Sequence, residues 1–273
     1  MTPRSMFALA LALAALAGLS ACGHDRQASS PLAPEVSALA DGAADTATTN
    51  GRDGRGDGDD DDGDGRRSGL PDFDPEDFVR HVDHPYFPLV PGTLYTYRAE
   101  TEEGTETSEF RVTHDTKRIL GITATVVRDK VFVDGELKED TFDWFAQDED
   151  GNVWYLGEDT KEYENGVVVS TFGSWEAGKN GARAGVIMLA HPRVGDDYPQ
   201  EIAPGIAEDR ARVVALNKTV RVPYGTFRRC IQTKETTPLE PGFREFKYYA
   251  RGVGLVLEVS GDGERVELTG VTR

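Results

Sequence analysis

The chain is 273 residues long and carries 48 Asp and Glu against 30 Lys and Arg, a formal net charge of −18. So acidic a balance excludes nucleic acid as an expected partner and direct docking on anionic lipid head groups, because the summed field repels both. Two cysteines in the whole chain exclude a framework of several disulfides.

Residues 1–21 read as an export signal. Arg4 supplies a short positive start, and Met6 to Leu19 is an apolar run built almost wholly from Ala and Leu. That run falls short of the ~20 residues a membrane-spanning helix needs, and it fits the core of a cleaved signal. Leu19-Ser20-Ala21-Cys22 then matches the bacterial lipobox at each position. The match implies cleavage before Cys22 and lipidation of Cys22 by palmitate-like acyl chains. Each buried methylene contributes ~0.8 kcal/mol, so one chain holds only marginally and two or more anchor stably. The expected partner is therefore a membrane, through lipid, and the expected location is a bacterial cell envelope. Gly23, where an Asp would favour retention at an inner membrane, favours the outer membrane of a cell that has two. With Cys22 acylated, Cys230 is the single remaining thiol, and its strand-like surroundings suit a small buried hydrophobe.

Residues 22–70 form the lipidated terminus and a tether. They are rich in Ala, Ser, Thr, Gly and Asp and contain no aromatic residue, so they bury too little apolar surface to offset ordering entropy. A flexible coil of this length reaches roughly 40 Å. Asp53, Asp57, Asp59 to Asp62 and Asp64 repel one another and extend it. The same carboxylates suggest an alternative role, a calcium-responsive structural or adhesion protein, although their irregular spacing does not build a specific calcium loop.

Residues 71–273 read as one β domain, long enough for a sizeable core. Asp74-Pro75-Glu76-Asp77 has the cap, the proline and the acidic first turn of a short helix, with Phe78, Val79 and Val82 on one face. Beyond it the pattern alternates with period two. Thr107 to His114, Gly121 to Val133 and Leu137 to Gln147 are strands, the last two joined by an Asp134-Gly135 hairpin turn. Val153 to Leu156, Val167 to Thr171, Val186 to Leu189, Arg210 to Leu216, Thr219 to Val222, Thr226 to Glu235, Phe246 to Ala250, Leu255 to Val259 and Arg265 to Val271 follow. The fold class is all-β and mainly antiparallel: one strongly curved sheet or half-open barrel of about a dozen strands, with a short N-terminal helix.

Three segments carry a resemblance. Tyr86-Phe87-Pro88-Leu89-Val90-Pro91-Gly92-Thr93, Val222-Pro223-Tyr224-Gly225-Thr226-Phe227 and Tyr248-Tyr249-Ala250-Arg251-Gly252-Val253-Gly254-Leu255-Val256 resemble the opening strand, a late turn and the closing strand of a group of bacterial envelope proteins. That group is similar to the LolA/LolB-type lipoprotein carriers. The resemblance implies a curved antiparallel sheet around an apolar cavity, and it speaks to fold more than to activity.

Several residue sets are candidate sites. Trp144, Trp154, Tyr155 and Trp175 could grip a lipid or sugar from a concave sheet. Glu201, Glu208 and Asp209 flank a Pro-Gly turn, and two carboxylates across a cleft could serve a hydrolase as acid and base. Asp148, Asp150 and Asn152 alternate like part of a calcium loop but lack its Gly and its closing Glu, and ordinary turn chemistry accounts for them. His81, Asp83 and His84, with His114 or His191, offer metal-ligating groups, yet Pro85 breaks the helix that would align them. No cofactor is expected. The expected function is non-catalytic binding of an apolar or amphipathic ligand, or of an envelope protein. Nothing in the sequence sets an oligomeric state.

Overall fold

The computed structural model describes residues 69–273; the signal segment, Cys22 and nearly all of the tether lie outside the described residues. A 3-10 turn, Pro75–Asp77, comes first. Seventeen strands follow: β1 (Phe78–Val79), β2 (Leu94–Thr101), β3 (Gly104–Ile119), β4 (Ile122–Val133), β5 (Glu136–Asp148), β6 (Val153–Asp159), β7 (Glu162–Glu164), β8 (Val167–Ser170), β9 (Trp175–Glu176), β10 (Arg183–Met188), β11 (Asp197–Pro199), β12 (Glu201–Ile202), β13 (Arg210–Val222), β14 (Gly225–Thr236), β15 (Glu245–Ala250), β16 (Gly254–Ser260) and β17 (Arg265–Thr272).

Two meanders make the wall. β2 to β6 pair in sequence, each antiparallel to the next, and so do β13 to β17. β17 returns to β2, with Leu268 opposite Tyr97. On the other side β6 pairs with β10. One short segment joins the remaining ends: β11 pairs with β13 while β12 pairs with β10. Bridging the ends in this way nearly closes the sheet into a barrel with one seam and covers part of the edges that an open curved sheet leaves unpaired. The closure is tight at Gly185, where any Cβ would run into the backbone carbonyl of Gln200.

Local chemistry sets the turns. Asp134-Gly135, Leu120-Gly121 and Asn165-Gly166 all have positive φ at both positions, the geometry that matches strand twist in two-residue hairpins. The expected helix is a single 3-10 turn whose Asp74 cap accepts from the Glu76 amide. Phe78 and Val79 do not continue it, because their backbone pairs with Asp148 and Gln147 at the end of β5. A free strand edge offers hydrogen bonds that a one-turn helix cannot supply for itself.

One end of the barrel is closed by residues 82–92. Phe87 projects inward against Phe145 and Tyr249, with centroids at 5.3 and 6.4 Å. Val82 and Leu89 are buried beside it and joined by a backbone hydrogen bond. The β7–β8 hairpin stands apart, with Val167, Val168 and Val169 all exposed.

Candidate functional site

Strand parity carries the site. In β3 the outward residues are Thr107, Glu109 and Arg111, and the buried ones are Glu106, Ser108, Phe110 and Val112. The same parity turns Asp129 inward from β4, and Glu139, Thr141, Asp143 and Phe145 from β5. Glu158, Glu201, Asp209, Glu235, Lys247 and Glu258 are buried as well, and Glu245 is nearly so. The barrel interior is therefore apolar around Phe87 and strongly acidic beyond it, with one buried lysine.

Lys247 accounts for part of this charge. Its ammonium lies 2.9 Å from Glu235 and 3.5 Å from Glu245. Burial works to neutralise it, but Glu235, Glu258 and Glu245 together outweigh burial and hold the lysine charged, well above its ordinary pKa. Glu235 also accepts from Gln200 and Thr233.

The other carboxyls are shifted towards their protonated forms. Burial, then Glu264 and Glu139, push Glu106 up to about 8. Burial pushes Glu139 to about 7 against the hydrogen bond from Thr141. Asp143, Glu158, Glu201 and Asp209 are all raised, in each case mainly by burial. Geometry requires the same at one point. Tyr155 Oη lies 2.6 Å from Asp143 Oδ1 and 3.0 Å from Glu158 Oε2. A phenol has one hydrogen, so it donates to one carboxyl and accepts from the other, which must carry a proton. Several atoms nevertheless lack a protein partner: both carboxyl oxygens of Glu201, one oxygen each of Glu106, Asp129, Asp143, Asp209 and Glu258, and the hydroxyls of Tyr198 and Tyr249.

A small cavity of about 20 Å³ opens between the plug and the β15–β16 turn. Phe87, Tyr95, Tyr97 and Phe110 form its aromatic walls, Asp129 its inner end, and Pro88, Val253 and Leu255 its rim. The two tyrosines are braced, Tyr97 donating to the Leu255 carbonyl and Tyr95 to that of Pro88. A second, larger hollow of about 540 Å³ lies at the outer surface of the plugged end, lined by Asp83, His84, Gln147, His191 and Arg251 among others.

The structure distributes the sequence candidates unevenly. Tyr155 and Trp175 meet inside the wall, edge to face at 5.4 Å. Trp144 and Trp154 have the opposite parity and face outward. Lys117 covers Trp144 with its ammonium 3.1 Å from the ring centre, and Phe73 and Phe78 cover Trp154. Glu201 and Asp209 come together, joined by a backbone hydrogen bond, whereas Glu208 accepts from Gly205 in an exposed turn. Neither cavity is lined by Glu201 or Asp209, so a substrate has no approach to them from either.

Asp148 spends its oxygens on Asn152 and on Trp154 Nε1, while Asn152 accepts from the Ala190 amide. Asp150 is exposed on the same turn. His84 is buried, accepts from the Tyr86 amide and is pulled down to about 4 by burial. Among the described residues no three His, Cys, Asp or Glu side chains are arranged to hold a metal ion. Cys230 is buried and free. Asp129, Glu106, Glu139, Glu158 and Lys247 are missing from the sequence candidates. The parity that places Phe110 and Val112 inward reaches Glu106 two steps earlier.

No family model matches the chain, and no curated protein matches it. Among solved structures, a Parabacteroides distasonis protein provisionally described as a lipoprotein is similar at 10% identity and a TM-score of 0.37, over 68% of this chain and 98% of that one.

Proposed function

We propose that this chain is a lipid-anchored, non-catalytic protein of a bacterial cell envelope whose barrel binds an amphipathic ligand. The anchor rests on the Leu19-Ser20-Ala21-Cys22 motif and the tether that follows it. The ligand reading rests on one observation: a cavity with four aromatic walls is also lined by the buried Asp129, whose Oδ1 has no hydrogen-bond partner. Apolar walls with a few converging polar atoms match a molecule with an apolar body and a polar end. A purely apolar ligand would leave that oxygen unsatisfied.

Labelled palmitate should enter the wild-type chain in its host and be absent from Cys22→Ser; equal labelling of both would remove the anchor. For the ligand, the mature chain (residues 22–273, Cys22→Ser) is titrated with n-hexylamine, n-hexanol and hexanoate. At least one of the three should raise its melting temperature at millimolar concentration. Val253→Trp, which adds bulk at the cavity rim, should weaken that stabilisation at least tenfold. Stabilisation by none of them, or by any of them equally in Val253→Trp, would exclude this cavity as the site.

A further inference from the structure

We infer that Asp129 recognises a protonated amine, so that the polar end of the barrel's ligand is a primary ammonium group. This inference rests on the reading that the barrel binds an amphipathic ligand.

Size comes first. A cavity of about 20 Å³ has room for about one water-sized group. An ammonium head is of that size, and a phosphate or a trimethylated amine is larger. Its apolar tail would leave between Pro88, Val253 and Leu255, which are partly exposed.

The inner end supplies the acceptor. Asp129 is buried, and its Oδ1 has no hydrogen-bond partner. A buried acceptor at the end of a cavity calls for a donor, and an ammonium has three. The walls agree, since Phe87, Tyr95, Tyr97 and Phe110 present ring quadrupoles that attract cations. Tyr95 and Phe110 hold an edge-to-face contact at 5.9 Å.

The surrounding field selects the sign. Asp129 faces Tyr97 from β2, Glu106 from β3, and Glu139 and Asp143 from β5. The plug and the β15–β16 turn add no ionisable group to the lining. Lys247 shows how this interior treats an amine, with its ammonium between Glu235 and Glu245.

Protons balance as follows. Burial, then Asp143, Glu139 and Glu106, raise Asp129 well above the usual carboxylate range, which favours the neutral acid in the free site. The ligand enters as R-NH3+, the Asp129 proton leaves to solvent, and a carboxylate–ammonium pair remains. While Asp129 is protonated in the free protein and the amine is protonated in solution, affinity rises tenfold per pH unit.

Calorimetry on the mature Cys22→Ser chain, in phosphate and in a second buffer of different ionisation enthalpy, reads both affinity and proton release. At pH 7.5 n-hexylamine should bind at least tenfold more tightly than n-hexanol, hexanoate should bind more weakly than either, and about one proton should be released per hexylamine. Asp129→Asn should abolish the preference and the release. Equal affinity for amine and alcohol, or amine binding without proton release, overturns the role of Asp129 while the amphipathic-ligand reading stands. Binding of none of the three overturns both. Because the first two readouts come from the unsubstituted site, misfolding of Asp129→Asn would not shield the inference.

Discussion

Raising the pH from 5 to 8 is expected to destabilise the empty barrel by several kcal/mol, a direction opposite to that of most acidic domains. The sign follows from proton linkage. An ordinary unfolded Glu gives up its proton near pH 4.3, whereas burial holds Glu106 protonated up to about 8 and Glu139 to about 7. Between those limits the folded state binds more protons than the unfolded state, so stability falls with every pH unit. It is fully present below about pH 4, lost progressively through pH 7–8, and level above the highest folded value. One pKa unit corresponds to ~1.4 kcal/mol. Glu106 by itself then contributes on the order of 4 kcal/mol across the window, a large share of a typical net stability of ~5–15 kcal/mol. Asp143 and Asp209 act in the same direction, because burial raises them too. Urea midpoints followed by Trp fluorescence at pH 5 and 8 measure the effect, in an amine-free buffer so that no ligand replaces the protons. Glu106→Gln should match the parent at pH 5 and exceed it at pH 8. A midpoint that rises between pH 5 and 8 would mean that these carboxyls are charged in the folded barrel.

Lys247→Met should destabilise the barrel by about 3–5 kcal/mol, the usual result of stripping one partner from a buried ion pair. Lys247 is 1% exposed, and its partner Glu235 is 3% exposed on the same measure of side-chain area. Without the ammonium, the buried Glu235 loses its charged partner, which is unfavourable. Lys247→Met with Glu235→Gln should recover a good part of the loss, because a buried pair is weakly stabilising as a whole even when either half alone is damaging. The comparison uses urea midpoints at pH 7. A loss below about 1 kcal/mol in the single variant would show that water reaches the pair and screens it.

These expectations concern residues that a reading of the chain passes over, and the reason is physical. Runs such as Leu137 to Gln147 read as strands because apolar side chains recur every second position. Polar residues are then assigned to solvent, which is correct for Thr107 and Glu109 at the intervening positions and incorrect for Glu106 and Ser108, which share the parity of Phe110 and Val112. Glu201 and Asp209, which flank a Pro-Gly turn, do come together. Their partners Glu158 and Lys247 arrive from strands tens of residues away, and no local pattern announces them.

The sequence by itself determined most of the long strands and the hairpin turns between them, although the expected strands Arg210 to Leu216 and Thr219 to Val222 are one continuous strand, β13, and β11 and β12 were not among those expected. Period-two alternation, together with turns such as Asp134-Gly135, depends on neighbours a few residues apart, and those interactions are present before the chain folds. It also carries Leu19-Ser20-Ala21-Cys22, whose match to a lipobox is a likeness of adjacent residues and needs no fold to be read. Only the tertiary structure decided that the curved sheet closes, through β11 and β12 bridging β13 and β10. Closure then gathers carboxyls from β12, β14, β15 and β16 around Lys247, and sets those of β3, β4, β5 and β6 beside one another. Whether a carboxyl is a solvated charge or a buried acid awaiting a proton or a cation depends on what lies opposite it in space, and that is set by closure rather than by adjacency along the chain.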